Sequence, residues 1–238
     1  MQLRHPHAWN VSVAEAREIQ RELAPLVTLE DAVAVPDLRS VAGVDNGYVK
    51  GEAGFTGYAA AVPFEFPELT SGEAVFAERL AEFPYVPGFL TFREGPAMLD
   101  ALLRLDPEPD VILVDGHGYA HPRRFGIASH LGVVLDHPTI GCAKSILVGR
   151  YEEPADEFGA HTPLIDRGDV VGAAVRTRPG HAPLFVSPGH KLSVETALDI
   201  VLACCRDGGY LPVPTQAAHE AVAEYTKPLR RKGSRRTS

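Results

Sequence analysis

Val111-Ile112-Leu113-Val114 is an unbroken aliphatic run, closed by the small and polar Asp115-Gly116-His117-Gly118. A strand wetted on one side alternates apolar with polar residues. One that is apolar throughout is buried on both faces, as in the parallel part of an α/β sheet. Such a strand demands helices on both sides of the sheet. It also ends on a carboxylate followed by glycines, and ligands of open α/β sheets bind beyond the carboxyl ends of strands.

The flanking sequence supplies the rest. Ser12-Val13-Ala14-Glu15 is a capping box, and Ala16, Ile19, Leu23 and Leu26 follow at helical spacing, which predicts a helix over 13–26. Strands are predicted at 40–45, 55–63 and 73–80, a likeness of an antiparallel meander joined by Gly-rich turns. The third also suits a helix by its Ala and Glu content. A helix over 96–105 has Pro96 at its first position and Met98, Leu99, Leu102 and Leu103 toward the core. After the apolar strand come a helix over 122–135 and strands at 139–142, 169–177 and 184–187. Ser193 caps a helix to about Cys204, and Thr215 caps another over 216–225. The expected fold is an α/β mixed sheet, an antiparallel meander and then parallel strands, with helices on both faces.

No apolar run approaches the ~18–20 residues of a membrane span, and the N-terminus lacks the apolar stretch of a secretory signal. Three cysteines, Cys142, Cys204 and Cys205, make no disulfide framework, so a cytoplasmic protein is expected. The net charge of −8 conceals an asymmetry. Lys227, Arg230, Arg231, Lys232, Arg235 and Arg236 crowd the last twelve residues without an acid, leaving 17 basic against 31 acidic residues elsewhere, a net −14. The expected organisation is one domain over 1–226 and a basic, disordered tail over 227–238. Such a tail suits either a solubilising end or nucleic acid.

Several residues carry candidate chemistry. Asp115 reads either as a metal or catalytic carboxylate or as a turn aspartate capping the next helix. Asp45 ends the run Val41-Ala42-Gly43-Val44, but Asp45-Asn46-Gly47 is also good hairpin-turn chemistry. Two strand-end carboxylates converging on one point suit Mg²⁺. His117 and His121 are four apart, but glycines interrupt them and no H-E-x-x-H pattern is present. Pro122-Arg123-Arg124 opens a predicted helix, where amides and arginines suit a phosphate. Lys144 follows a strand without the glycine pattern of a nucleotide-binding loop; it reads as a point charge for a phosphate or as a surface lysine. Pro84-Tyr85-Val86-Pro87-Gly88 is a stiff aromatic loop, either a turn with its tyrosine in the core or a wedge of the kind that enters a base stack.

Taken together, the chain resembles the endonuclease V family, deoxyinosine-directed nucleases of the ribonuclease H-like fold. The resemblance rests on Val41–Asp45, on Phe83–Leu90 with Phe92-Arg93-Glu94, and on Val111–Ser145. It continues through Phe185–His190 and Leu211–Thr215, with His219 beyond. The blocks keep order and spacing from about 12 to 225. In the family pattern a β-branched residue follows the first aspartate; here it is Asn46, followed by Gly47. The basic tail belongs to no family motif.

The resemblance implies that Asp45, Glu94 and Asp115 bind metal, with His219 as a further group beside it. It places Lys144 and His121 beside the cleaved phosphate. Pro84, Tyr85, Val86, Pro87 and Gly88 would form the wedge, Gly116 and Gly118 would pack against the extruded base, and Arg123 would contact the nucleic acid. It implies a monomeric Mg²⁺-dependent enzyme, with Mn²⁺ as a substitute, acting on inosine-containing DNA. The expected cut is the second phosphodiester 3′ to the lesion, leaving 3′-hydroxyl and 5′-phosphate ends in DNA repair. Cleavage of inosine-containing RNA, non-catalytic inosine or nucleic-acid binding, and hydrolysis of a small phosphoester are the competing readings. The wedge motif disfavours the last, which has no strand to open.

Overall fold

The computed structural model describes residues 1–52, 54–206 and 208–234. Eight strands form one sheet: β1 (Ser40–Gly51), β2 (Gly54–Glu65), β3 (Val75–Leu80), β4 (Val111–Asp115), β5 (Thr139–Ala143), β6 (His161–Asp166), β7 (Asp169–Val175) and β8 (Leu184–His190). Their spatial order is β3-β2-β1-β4-β5-β8-β7-β6. β1, β2 and β3 are the expected antiparallel meander. β4 joins β1 in parallel and β5 joins β4 in parallel, so the aliphatic run lies at the sheet's centre with Val111–Val114 fully buried. The parallel part stops there: β8 is antiparallel to β5, and β7 and β6 continue antiparallel.

Five α-helices cover the sheet: α1 (Val13–Leu23), α2 (Leu90–Leu102), α3 (Ile127–Leu135), α4 (Val194–Ala203) and α5 (Val213–Ser234). α2 and α3 bury Met98, Leu102 and Leu131 against Ala42, Ile112 and Val114 on one face. On the other face Ala197, Val201 and Ala218 of α4 and α5 meet Val41, Leu113 and Ile140. The alternation of burial partners along β4 is the two-residue period of a strand.

Four expectations are corrected. Asn46-Gly47 is no turn: β1 runs through it, pairing Asn46 with Ala59 and Gly47 with Tyr58, and the hairpin closes between Gly51 and Gly54. The second helix starts at Leu90, not Pro96, so Pro96 lies inside it. The proline forfeits one internal hydrogen bond, and the helix persists because Phe92, Ala97, Met98, Leu99, Ala101 and Leu102 are buried. The third starts at Ile127 rather than Pro122, because Arg124 adopts the left-handed φ of 54° and breaks any helix there. Arg124 is held in that conformation by ion pairs to Asp166 at 2.6 Å and Asp169 at 3.3 Å. Finally, α5 begins at Val213, so Thr215 lies in its first turn and bonds back to the Pro212 carbonyl instead of capping it. The same helix passes Tyr225 and runs through the first basic residues to Ser234, so those residues are helical rather than loose. Residues 235–238 lie outside the described residues. The capping box at Ser12 and Glu15 and the Ser193 cap are both formed. β6 is a strand with no expectation behind it; its exposed His161 and Pro163 hide the alternation. No helix among the described residues is long and apolar enough to cross a membrane.

Candidate active site

The carboxyl ends of β1 and β4 are adjacent, with Val44 paired to Val114, so the next residues on each, Asp45 and Asp115, stand side by side. α5 brings in His219. Asp45, Asp115 and His219 each offer a ligand atom, all within 4.8 Å of one another. His219 Nδ1 lies 2.8 Å from Asp45 Oδ2. The Asn46 backbone N–H donates to Asp45 Oδ1 at 2.7 Å, a local bond that fixes the carboxylate's rotamer. Lys144, just beyond β5, forms a 2.5 Å ion pair with Asp115 Oδ2. Both carboxylates are mostly buried, whereas His219 and Lys144 are about half exposed.

Glu94 approaches from α2, on the opposite face of the sheet from α5. Burial pushes its carboxyl up to about 8, and the charges of Asp45 and Asp115 push it the same way. Burial raises Asp45 too, with Asp115 adding to it, while the His219 bond opposes. Three carboxylates thus repel one another across the edge of the sheet. A group of this kind has the donor chemistry of a divalent-cation site. Tyr48 and Arg93 lie beside Glu94, the Arg93 guanidinium 4.7 Å above the Tyr48 ring. Sequence reasoning did not single out either one; the adjacency of Arg93 to Glu94 in Phe92-Arg93-Glu94 was the available signal.

The remaining candidates gather around the Pro84–Gly88 loop. Tyr85 is 72% exposed, with Pro84 and Pro87 also on the surface and Val86 half-buried. The loop is clamped at its base: Phe83 and Phe89 are buried with Phe92 and Ala16. The Gly88 carbonyl accepts from Gln20 Nε2 at 3.0 Å and from Arg123, and His121 Nε2 lies 3.2 Å from it. Arg123 also bonds Gln20 and sits 4.3 Å over the Phe89 ring. Gly88 has φ 80°, and a Cβ there would fall 2.8 Å from the Arg123 guanidinium, so a side chain is strained twice over. Arg123 therefore helps to hold the loop. His121 is buried and burial takes its pKa down to about 3, so it is a neutral partner of this loop. Gln20, a buried polar residue on α1, gave no signal in the sequence.

Gly116 and Gly118 follow Asp115. A Cβ on Gly118 would fall 2.2 Å from the Pro188 carbonyl oxygen, and one on Gly116 would fall 2.5 Å from Ile127 Cγ2. Both glycines thus permit the loop to lie against protein. Gly118 N–H donates to Ser187 Oγ at 2.9 Å, and Tyr119 N–H to the Pro188 carbonyl at 2.7 Å. These bonds hold the loop onto β8 and with it the direction of Asp115.

The Endonuclease V family model matches residues 21–220. The chain belongs to the endonuclease V family. Endonuclease V of a Roseiflexus species is 52% identical over 217 residues, covering 91% of this chain and 94% of the relative. The crystal structure of Bacillus subtilis endonuclease V superimposes with a TM-score of 0.92 at 29% identity, covering 98% of this chain and all of that one. Ciona intestinalis endonuclease V, crystallised with a 23mer DNA containing an inosine followed by a ribo-adenosine, aligns with a TM-score of 0.80 at 29% identity. It covers 91% of this chain and 98% of its own. The mixed sheet is the ribonuclease H-like fold of these enzymes, and the activity of an endonuclease V is cleavage of DNA 3′ to deoxyinosine in repair.

Proposed function

We propose that this endonuclease V hydrolyses the second phosphodiester bond 3′ to deoxyinosine, leaving 3′-hydroxyl and 5′-phosphate ends. The reading includes Mg²⁺ as the ion gathered by Asp45, Asp115, Glu94 and His219, with Mn²⁺ as a substitute. The observation that carries it is the meeting of Asp45, Asp115 and His219 ligand atoms within 4.8 Å, with Glu94 pressed toward neutrality by burial and by the other two carboxylates. When bound, a divalent ion supplies an activated water and charge neutralisation at the phosphate.

The chain's own residues do the rest. His219 and the Asn46 N–H hold one oxygen each of Asp45 and so fix its plane. Lys144, half exposed beside Asp115, places a positive charge where a phosphate oxygen arrives. The clamped loop projects Tyr85 as a wedge that takes over stacking from the extruded nucleotide. Hypoxanthine pairs weakly, so its extrusion costs less than that of a normal base, which is one source of selectivity. The reading includes a monomer acting in the cytoplasm, since the candidate ligands Asp45, Asp115 and His219 meet without a partner's contribution. RNA enters as an alternative strand, because the Ciona relative was crystallised with a ribo-adenosine after the inosine.

The test is a labelled duplex with one inosine, incubated with Mg²⁺ and with chelator, beside an all-RNA counterpart. A single ligatable nick that appears only with the ion supports the reading. Nicking in chelator, or at another bond, overturns it.

A further inference from the structure

β1 has twelve residues and β4 only five, so β1 outruns its parallel neighbour at Asp45. Its last six residues, paired with β2, project about 20 Å past the carboxylates. α5 runs alongside in the same direction. A Cβ on Gly43 would fall 1.8 Å from the Pro214 carbonyl oxygen, and one on Gly47 would fall 2.5 Å from Val222 Cγ1, so helix and strand are in close register. The hairpin and the helix together make a wall rising from one side of the site.

The wall ends in cations. His219 and Arg230 are eleven residues apart on α5, which returns them to the same face, about 16 Å apart along the axis. Arg230 reaches back over β1, its guanidinium 3.8 Å from the Cβ position of Gly47. Lys227 is exposed one turn earlier, and Lys50 is exposed near the hairpin tip. Arg231 and Lys232 follow in sequence. Among the described residues, Lys50, Lys227 and Arg230 form no ion pair, although Glu220 and Glu224 share the helix. On a body with a net −14, Lys50, Lys227 and Arg230, free of ion pairs among the described residues, form a positive patch at the end of the helix that carries a site residue, complementary to a polyanion.

We propose that the C-terminal half of α5, through Lys227 and Arg230 with Lys50 beside them, grips the sugar-phosphate backbone of the DNA duplex flanking the lesion. Sixteen ångströms is about two to three phosphate spacings of one strand, so the contact lies outside the nucleotide at the cut. It reads no sequence. It holds duplex against an otherwise acidic protein and keeps the wall beside the strand that enters the site.

This inference rests on the chain being a DNA-cleaving enzyme and is tested apart from cleavage. Binding of the full-length protein to an inosine-free duplex is measured by fluorescence anisotropy from about 50 to about 200 mM salt. Each phosphate contact contributes about 0.9 to the log–log slope. A Lys227→Gln/Arg230→Gln double variant should therefore have a slope shallower by about 1.8, so that wild type loses about tenfold more affinity than the variant over that range. An Arg167→Gln/Arg178→Gln variant, with the same loss of charge near β6 and β7, should keep the wild-type slope. Melting curves confirm that all three proteins are folded. Equal slopes for wild type and the α5 variant, or equal reductions in both variants, overturn the proposal. Wild-type nicking at inosine in the same preparation shows that the enzymatic reading survives such a result.

Discussion

Asn46→Val replaces a buried carboxamide with a β-branched residue of similar size. Asn46 Oδ1 and Nδ2 are both buried without a hydrogen-bond partner, lying 3.2 and 3.5 Å from the Cβ position of Gly57. A buried polar group left unsatisfied costs about 1–3 kcal/mol. Valine removes both groups at similar volume and favours a strand by a few tenths of a kcal/mol or more. The main-chain N–H that holds Asp45 is untouched. The net expectation is a gain of about 2 kcal/mol. For a chain of this length each kcal/mol moves the melting temperature by about 2–4 °C, so the variant should melt about 4–8 °C higher in chelator at neutral pH. Asn46→Ala deletes the same polar atoms but leaves a void, so it should gain less. Calorimetry with urea unfolding on the three proteins is the assay. An Asn46→Val protein that melts at or below wild type would show that the carboxamide is partnered and refute the reasoning.

Asp115→Ala should abolish nicking at inosine and also the rise in melting temperature that Mg²⁺ gives wild type, a rise worth about 2.7 kcal/mol at a hundredfold excess over Kd; wild-type cleavage would remove Asp115 from the site. Tyr85→Ala should weaken binding to inosine duplex about tenfold or more, and binding to single strands less, since base–aromatic stacking is worth about 1–3 kcal/mol. With Tyr85 exposed, its melting temperature should not move; equal losses on both strands would sink the wedge. His121, whose pKa falls from 6.5 to about 3 on folding, gives stability that is complete above pH 6.5 and is lost as pH falls below it. Glu94 titrates in the opposite sense, so the informative quantity is the difference in urea stability between wild type and His121→Gln. That difference should shrink by about 3 kcal/mol from pH 7 to pH 4, and a pH-independent difference would contradict a neutral buried His121.

Much of the site was readable because it is built at strand ends. The aliphatic run before Asp115 announces a central strand, and a carboxylate at its end has nowhere to go but the sheet's edge. Asp45 was harder. Asn46-Gly47 is turn chemistry locally, yet the register with Ala59 and Tyr58 carries the strand on, and only packing against Val222 explains why glycine sits there. Local signals also misplaced the helix ends. Pro96 and Pro122 look like first-turn prolines, but burial of Phe92 extends one helix ahead of its proline, and the Arg124–Asp166 ion pair delays the other. Both ion-pair partners of Arg124 belong to the β6–β7 hairpin, and β6 itself was unforeseen. Contacts between distant segments left no local pattern: Asp45 meets His219 across 174 residues, a meeting only the family resemblance implied, and Gln20 meets Gly88 across 68 with no signal at all. Arg123 illustrates the consequence. Its type and neighbours suit a phosphate, and no local pattern shows that in the fold its guanidinium also holds the Gly88 carbonyl and Gln20.

The two helices that complete the site lie on opposite faces of the sheet. α2 carries Glu94 directly after the clamped loop that presents Tyr85, and α5 carries His219 ahead of its basic end. Asp45 and Asp115, on the central strands between them, are the only candidate ligands fixed by the sheet itself. Without a cation, burial favours keeping Glu94 neutral, and repulsion from the other two carboxylates adds to it. A divalent cation held by Asp45, Asp115 and His219 would favour the charged form of Glu94 too, because its charge would oppose the burial and repulsion that keep that carboxyl neutral. Electrostatic strain at the sheet edge is thus a property of the bare site: acids buried and crowded at one point have the donor chemistry that a cation satisfies.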